Sequence, residues 1–432
     1  MSLSGAAAIS VHTDISLARI GDGVTVTSAH GNILVSAATS DTPKITADSD
    51  ISGVNKEKDS KKEKQKALGG SIAFGFLLSQ ADAFIGKGAQ VDAPGSISIQ
   101  SDTSLPWKEG YSGIYETFAK AFGNNGKDFL NEAGGALSVL NIGTSVESSL
   151  QDWFQEGYLG AKGNLFSTWA RSAGESDGFA GQGTANVLIL INKSHAYIDE
   201  MAKVNQLAIP SSDQDVLVKA TSGMTTVNLT GVIPGGAIKD FVDPFGGKSA
   251  GGGGLSLLVG VHYNDVAAEI RQGAKVSAET LADLADTTVV DVAVAPVSSK
   301  SDKASLSASL SLATIINLTK ARIDGDAVVI TGSTAIEGGD ATLLVEATDT
   351  TVAVNTAGSV AFGNAAGVGL AGAVNVVYRD TQAQIGDPDD TARGSGSVSS
   401  GGKIAVKASN DGFSGAFSAV VSASQPVPDS VS

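Results

Sequence analysis

The sequence predicts a mainly β fold: a parallel β-solenoid, or β-helix, of about six imperfect repeats of ~60 residues, with a small α-helical insertion. Three observations predict it. A strand-like unit recurs along the chain, aromatic residues are concentrated in one window, and that window changes from period-two to helical spacing. The 432 residues, 42% of them hydrophobic, are enough for a large core.

The recurring unit is an alternating apolar stretch that runs into an Ala-x-Ile step. Its isoleucine recurs at Ile20, Ile85, Ile198, Ile270, Ile323 and Ile385. The separations are 65, 113, 72, 53 and 62 residues, so four of the five lie near 63. After each step come turn residues and further alternating stretches with Gly at the corners, a pattern typical of strands.

Small residues dominate one face of the strand that precedes each step, which favours a coil with a narrow interior. Because one unit cannot bury its apolar face alone, we expect neighbouring repeats to stack into a continuous core, as in a rod. A string of separate β-sandwich domains of ~60 residues remains the alternative. The length of the unit does not determine how many coils each repeat forms.

The insertion is predicted at 105–180, between solenoid repeats at 1–104 and 181–432. This window holds 12 of the 23 aromatic residues and accounts for the long 113-residue separation. Apolar residues recur at helical spacing over 111–122 and 146–158, so we expect a small helical subdomain there.

Four aromatic residues in this window are the candidate ligand-binding residues: Trp107, Trp153, Tyr158 and Trp169. They would present an aromatic recognition surface. The alternative is that they form the subdomain's own core or dock it on the solenoid.

The sequence contains no complete catalytic or metal-binding constellation. His-Glu-x-x-His is absent, and Gly-x-Ser-x-Gly occurs once, at 174–178. Gly-Lys-Ser occurs at 247–249, but Val242 stands where a phosphate-binding loop requires its first glycine. We expect no enzyme activity, no catalytic residues and no metal ligands. Arg19, Glu269 and Arg322 occupy equivalent repeat positions and are interpreted as a polar stripe. We expect no cofactor; calcium in the acidic segments 48–50, 324–326 and 387–390 is a weak alternative to ordinary turns.

Charge, hydrophobicity and cysteine content disfavour several classes of partner and site. A net charge of −16 without a dense basic face disfavours nucleic acid. No apolar run reaches the roughly 18 residues of a membrane span. The absence of cysteine excludes disulfide scaffolds and thiolate metal sites. The lysine-rich run at 55–66 is interpreted as a solvated loop, with a patch for acidic glycans as the alternative.

Two segments carry a resemblance. The blocks at 367–386 and 83–93 read GVGLAGAVNVVYRDTQAQIG and AFIGKGAQVDA, and they resemble the repeats of giant bacterial surface proteins, the leukotoxin-type and haemagglutinin-like filamentous adhesins. The resemblance covers the chain outside the insertion and implies no catalytic residues. It implies an exported, extracellular structural or adhesive stalk segment, flanked by further repeats and contacting a host or neighbouring cell through a glycan or protein. A carbohydrate-active β-helix enzyme and a pure spacer are the alternatives.

Overall fold

The chain winds into six coils, and each coil contributes one strand to each of three parallel sheets. The computed structural model describes residues 2–53, 66–105, 167–176, 179–207, 214–231, 251–301, 303–386 and 395–424. The parallel β-solenoid predicted from the sequence is confirmed, with one coil per repeat. Continuous pairing across six strands in every sheet overturns the alternative of separate sandwich domains.

Sheet A contains the long strands that end in the Ala-x-Ile steps. They are β1 (Ser2–Ile20), β5 (Ala67–Ile85), β9 (Phe179–Ile198), β12 (Gly251–Ile270), β15 (Ala304–Ile323) and β18 (Ala366–Ile385). Sheet B contains the short strands β2 (Thr25–Thr27), β6 (Gln90–Asp92), β10 (Lys203–Val204), β13 (Lys275–Ala278), β16 (Val328–Thr331) and β19 (Ser397–Ser400).

Sheet C closes each coil. It contains β3 (Ile33–Ser40), β7 (Ile97–Leu105), β11 (Val216–Thr230), β14 (Leu281–Ser301), β17 (Ala341–Gly363) and β20 (Lys403–Ser424). Strands β4 (Ile45–Gly53) and β8 (Thr168–Ser176) complete the first two of these long strands.

The six Ala-x-Ile steps lie in perfect register. The isoleucines form one ladder across sheet A, and the alanines two residues earlier form a second. The four inner isoleucines of this ladder are fully buried. They pack with valines and alanines of sheets B and C in the main hydrophobic core, and each contributes roughly 2 kcal/mol of burial free energy.

Away from this core, sheets A and C face each other directly and form a two-sheet arm. Its interior combines small and polar side chains with a cluster of larger buried ones that includes Leu190. Ser307 and Ser359 are hydrogen-bonded at 2.6 Å, and Thr287 and Thr319 at 2.7 Å. A 20-residue strand spans about 65 Å if straight, whereas six strands at ~4.8 Å cover only about 24 Å. The stack of six coils is therefore broader than it is tall.

An asparagine ladder crosses the arm. The side-chain amide of Asn192 donates to Asn264 Oδ1 at 2.8 Å, and the amide of Asn264 donates to Asn317 Oδ1 at 2.8 Å. Asn317 in turn donates to Thr351 Oγ1 of sheet C at 2.9 Å. All four residues are buried. The chain of bonds satisfies amide groups that would otherwise be costly inside the fold.

The insertion interrupts a single strand of sheet C. Leu105 pairs with Met224, and Thr168 pairs with Asn228 of the same neighbouring strand. Residues 106–166 therefore occupy the place of only two residues, Thr225 and Thr226, in the next coil. The predicted boundary at 180 is wrong, because 168–176 and 179–180 continue the solenoid strands as β8 and β9.

The described residues contain no helix. The predicted helical segments 111–122 and 146–158, together with Trp107, Trp153 and Tyr158, lie outside them. The prediction that Trp169 lies in the helical insertion is wrong. Trp169 lies in β8, where it pairs with Thr46 and Leu229, and it belongs to the solenoid.

Some of the acidic and basic segments lie among the described residues and others lie outside them. Residues 324–326 form a turn, as expected, whereas 48–50 lie in β4, so the expectation of a turn there is wrong. The lysine run, apart from Lys66, and the acidic segment 387–390 fall outside the described residues.

Candidate functional site

Among the described residues, the outward face of sheet A carries a concentrated set of ionisable and aromatic side chains. It lies where the long strands approach their Ala-x-Ile steps. We call this set the ionic strip. It comprises Arg19, Asp82, Phe84, Lys193, His195, Tyr197, Asp265, Glu269, Lys320, Arg322 and Asp380.

His195 is the centre of the strip. Its Nδ1 lies 3.1 Å from Asp82 Oδ1 on the preceding coil, and its Nε2 lies 3.6 Å from Asp265 Oδ2 on the following coil. Strand register produces this arrangement, because Asp82 lies directly beside His195 in the parallel ladder and Lys193 lies beside Asp265. Gln80 also donates to Asp82 Oδ2 at 2.6 Å.

The two carboxylates hold His195 in its charged form. Burial lowers the pKa of His195, but hydrogen bonding and charge interactions with Asp265 and Asp82 outweigh it and raise the pKa to about 9. The hydrogen bond to His195 lowers the pKa of Asp265. For Asp82, burial raises the pKa, but His195 and Gln80 lower it by more. At neutral pH the set is an imidazolium between two carboxylates, which is the state of an ion pair rather than of a free general base.

An aromatic stack adjoins this ion pair. The rings of Phe84 and Tyr197 are parallel within 6°, with centroids 4.6 Å apart. The guanidinium carbon of Arg271 lies 3.5 Å from the Tyr197 ring centroid. One face of the Tyr197 ring is therefore stacked on Phe84, and the ring also has a cation–π contact with Arg271.

Arg271 also joins the carboxylates at the end of the strip. Its Nε donates to Glu269 Oε2 at 2.9 Å, and its Nη1 donates to Asp199 Oδ1 at 3.3 Å. Arg322 Nη2 lies 3.3 Å from Glu269 Oε1. The predicted polar stripe is confirmed, since Arg19, Glu269 and Arg322 lie in one column of sheet A together with Phe84 and Tyr197.

A second cluster lies on the first coil. His12 Nδ1 is 2.5 Å from Asp41 Oδ2, and His12 Nε2 is 3.4 Å from Asp14 Oδ1. Among the described residues, this is the group of three histidine or acidic side chains whose ligand atoms lie close enough together to hold one metal ion. The hydrogen bond to Asp41 raises the pKa of His12. Each imidazole nitrogen already faces a carboxylate, so the cluster reads as an ion pair.

The sequence analysis predicted neither cluster. Asp82 and His195 are 113 residues apart in the chain, so only the strand register brings them together. Of the predicted ligand-binding residues, Trp169 alone lies among the described residues. It lies in β8 of sheet C and is therefore not part of the ionic strip on sheet A.

No described helix is long and apolar enough to cross a bilayer. No protein-family model matches the chain, and the comparisons with curated proteins and with solved structures found no match.

Proposed function

We propose that this chain is a non-enzymatic structural and adhesive stalk segment of a large extracellular bacterial surface protein. The observation that carries the proposal is the unbroken register of six coils, with the same Ala and Ile ladders in each. A stack of this kind gains stability coil by coil and lengthens without changing its cross-section. Resemblance to filamentous adhesin repeats supports the same role.

The end coils support stacking on flanking repeats. Ile385 is 37% exposed at the end of a ladder whose inner members are fully buried, and Val406 is 46% exposed. Within the part of the chain that the structure describes, β1 and β18 each have one edge without a neighbouring strand in sheet A. Further coils of a parent chain would cover these apolar and backbone groups.

The insertion is the proposed contact site for a host or neighbouring cell. It leaves and rejoins the solenoid within one strand, so it decorates the stack without interrupting the ladders on either side. Its aromatic residues suit a glycan or a protein surface.

One observation favours the alternative of a carbohydrate-active enzyme: Asp82, His195 and Asp265 supply two carboxylates and an imidazole on one exposed sheet. We favour the stalk because both imidazole nitrogens face carboxylates and the histidine carries its proton at neutral pH. A polysaccharide panel incubated with the chain and with His195→Gln separates the two. Release of new reducing ends by the unchanged chain alone would establish the enzyme.

The adhesive role is tested by replacing 106–166 with Thr-Thr, the two residues that occupy this place in the next coil. Both forms are applied to a glycan array and to host and bacterial cells, with circular dichroism to verify the β fold. We expect binding by the complete chain and its loss in the replacement variant. If the complete chain binds nothing, the adhesive role is overturned and the segment is a spacer. If both forms bind equally, recognition lies on the solenoid.

A further inference from the structure

The outward face of sheet A beside the ionic strip is apolar over all six strands. We call it the aliphatic face and define it by four adjacent ladders. Every position on this face is hydrophobic except Thr13, Thr314 and Gly372. The positions are Ala7, Ile9, Val11, Thr13, Ile72, Phe74, Phe76, Leu78, Ala185, Val187, Ile189, Ile191, Leu257, Val259, Val261, Tyr263, Leu310, Leu312, Thr314, Ile316, Gly372, Val374, Val376 and Tyr378.

This face is turned toward solvent. Ile72 is 52% exposed, Leu310 is 46% exposed and Tyr378 is 56% exposed. The opposite, inward side of the same strands carries Ser, Asn, Ala and Leu and packs on sheet C. The arm is thus apolar on both sides: Leu190 and Ile315 are buried inside it, and further large hydrophobic side chains cover its outer surface.

From the face we propose that two copies of this chain pack laterally, each covering the aliphatic face of the other. Four ladders on six strands cover roughly 700 Å², from a strand spacing of ~4.8 Å and a rise of ~3.3 Å per residue. A stable dimer of standard size buries about 800 Å² per partner. Two such flat faces would pack like the two sheets of a β-sandwich, about 10 Å apart. Under two-fold symmetry each copy contributes the same surface, so no second docking surface is required.

The charges beside the face fit a second copy. The chain as a whole carries a net charge of −16. The ionic strip is nevertheless close to neutral: it holds the four acids Asp82, Asp265, Glu269 and Asp380 and the four bases Arg19, Lys193, Lys320 and Arg322, besides the protonated His195. Two strips brought together would meet little net repulsion and could exchange ion pairs at the rim.

A lipid surface fits less well. The strip holds four acids against four bases and one imidazolium, so its positive excess is a single charge, which attracts anionic headgroups only weakly. Among the described residues, β1 and β18 form the two edges of sheet A and border the face. Edge-to-edge pairing through these same strands would give open-ended filaments rather than closed dimers.

The test is sedimentation velocity on the complete chain from about 1 to 200 µM, compared with the double variant Val187→Glu, Val261→Glu at the centre of the face. Ile330→Glu is the matched control, since Ile330 is 50% exposed on sheet B, away from the face. We expect a dimer for the unchanged chain and the control, and at least tenfold weaker dimerisation for the double variant. A monomer throughout this range, or equal dimerisation of all three, overturns the proposal.

A second measurement does not depend on the double variant folding. The chain has no cysteine, so Val259→Cys introduces a single thiol at the centre of the face, and Ile330→Cys is its control. We expect rapid disulfide-linked dimers for the first only; equal rates in both overturn the proposal. Flotation with phosphatidylcholine vesicles provides the lipid arm. Vesicle binding that Val187→Glu, Val261→Glu abolishes would assign the face to lipid instead.

Discussion

Asp283 occupies, on β14, the inward position that Val218 occupies on the neighbouring strand β11. Val345 fills the same position on the other side, so one carboxyl group lies within a ladder of aliphatic side chains. Asp283 is fully buried, and the main-chain N–H of Arg322 faces its carboxyl group without the geometry of a full hydrogen bond. Burial, with a further contribution from the charge of Glu269, raises the pKa of Asp283 well above its usual value.

Asp283→Val is therefore expected to stabilise the fold by about 2–4 kcal/mol at neutral pH, because it removes a buried polar group and restores the ladder. The folded state holds the proton more tightly than the unfolded state. The part of the penalty that comes from ionisation is therefore absent below about pH 3.8 and grows as pH rises toward the folded pKa, whereas the cost of burying the neutral carboxyl group remains at every pH. Urea unfolding of both forms from pH 4 to pH 8 measures it.

Asp286→Asn is the control for this change, since Asp286 lies on the same strand but points outward, where it accepts a hydrogen bond from Thr348. A stability difference for Asp283→Val that is constant across the pH range would show that Asp283 is ionised in the fold.

The asparagine ladder makes a second prediction. Asn264→Leu removes one acceptor from Asn192 and one donor from Asn317, both buried. We expect a loss of about 2–4 kcal/mol, since unpaired buried amides cost more than the leucine gains. Asn364→Leu, at an exposed turn, should change stability by less than about 0.5 kcal/mol. Equal unfolding midpoints for the two variants would show that the ladder contributes nothing.

The sequence predicted the features that repeat locally. The Ala-x-Ile steps recur at nearly constant spacing, and because parallel coils place equivalent residues side by side, they became ladders. The polar stripe of Arg19, Glu269 and Arg322 followed for the same reason. The insertion was located through its aromatic content. Its end was misplaced, because a window of composition overlaps the return of strand periodicity at Thr168.

Orientation and long-range contacts were not predictable from the sequence. An alternating strand defines two faces, and burial of apolar surface favours the one with larger side chains inside. In the arm, hydrogen-bonded ladders such as Asn192–Asn264 share the interior with buried leucines, and Val259 and Val261 nevertheless face outward. The His195 cluster depends on the register across an insertion, which no local pattern specifies.

The turn after the isoleucine ladder makes a third prediction. Met201 has a left-handed backbone with φ of 57°, at the corner where the neighbouring coils have Gly88 at 65° and Gly273 at 68°. A side chain in this conformation destabilises the fold by about 1–2 kcal/mol. Glycine removes this strain, but it loses more conformational entropy on folding, so the net gain is smaller. Met201→Gly should therefore stabilise the chain by about 0.5–1 kcal/mol in urea unfolding. Gly273→Ala, the reverse change in the next coil, should destabilise it; a shift of the same sign in both would contradict the explanation.

The pH dependence of the ionic strip is the fourth prediction. The pKa of His195 is about 9 in the fold, against 6.5 for an unperturbed imidazole. A raised pKa means that its stabilising contribution is complete below about pH 6.5 and is lost as pH rises through 9. Allowing for solvent screening at a side chain that is 26% exposed, we expect a loss of about 2 kcal/mol across this interval.

His195→Gln should abolish that loss, so its stability relative to the unchanged chain should improve steadily from pH 6.5 to pH 9. His30→Gln, at an exposed turn, is the matched control and should keep the pH dependence of the unchanged chain. NMR titration gives the direct measurement, with the His195 resonance assigned by its absence in His195→Gln. A midpoint near 6.5 would mean that Asp82 and Asp265 do not hold the proton. The cluster would then contain a free base at neutral pH, and the case for catalysis on this face would be reopened.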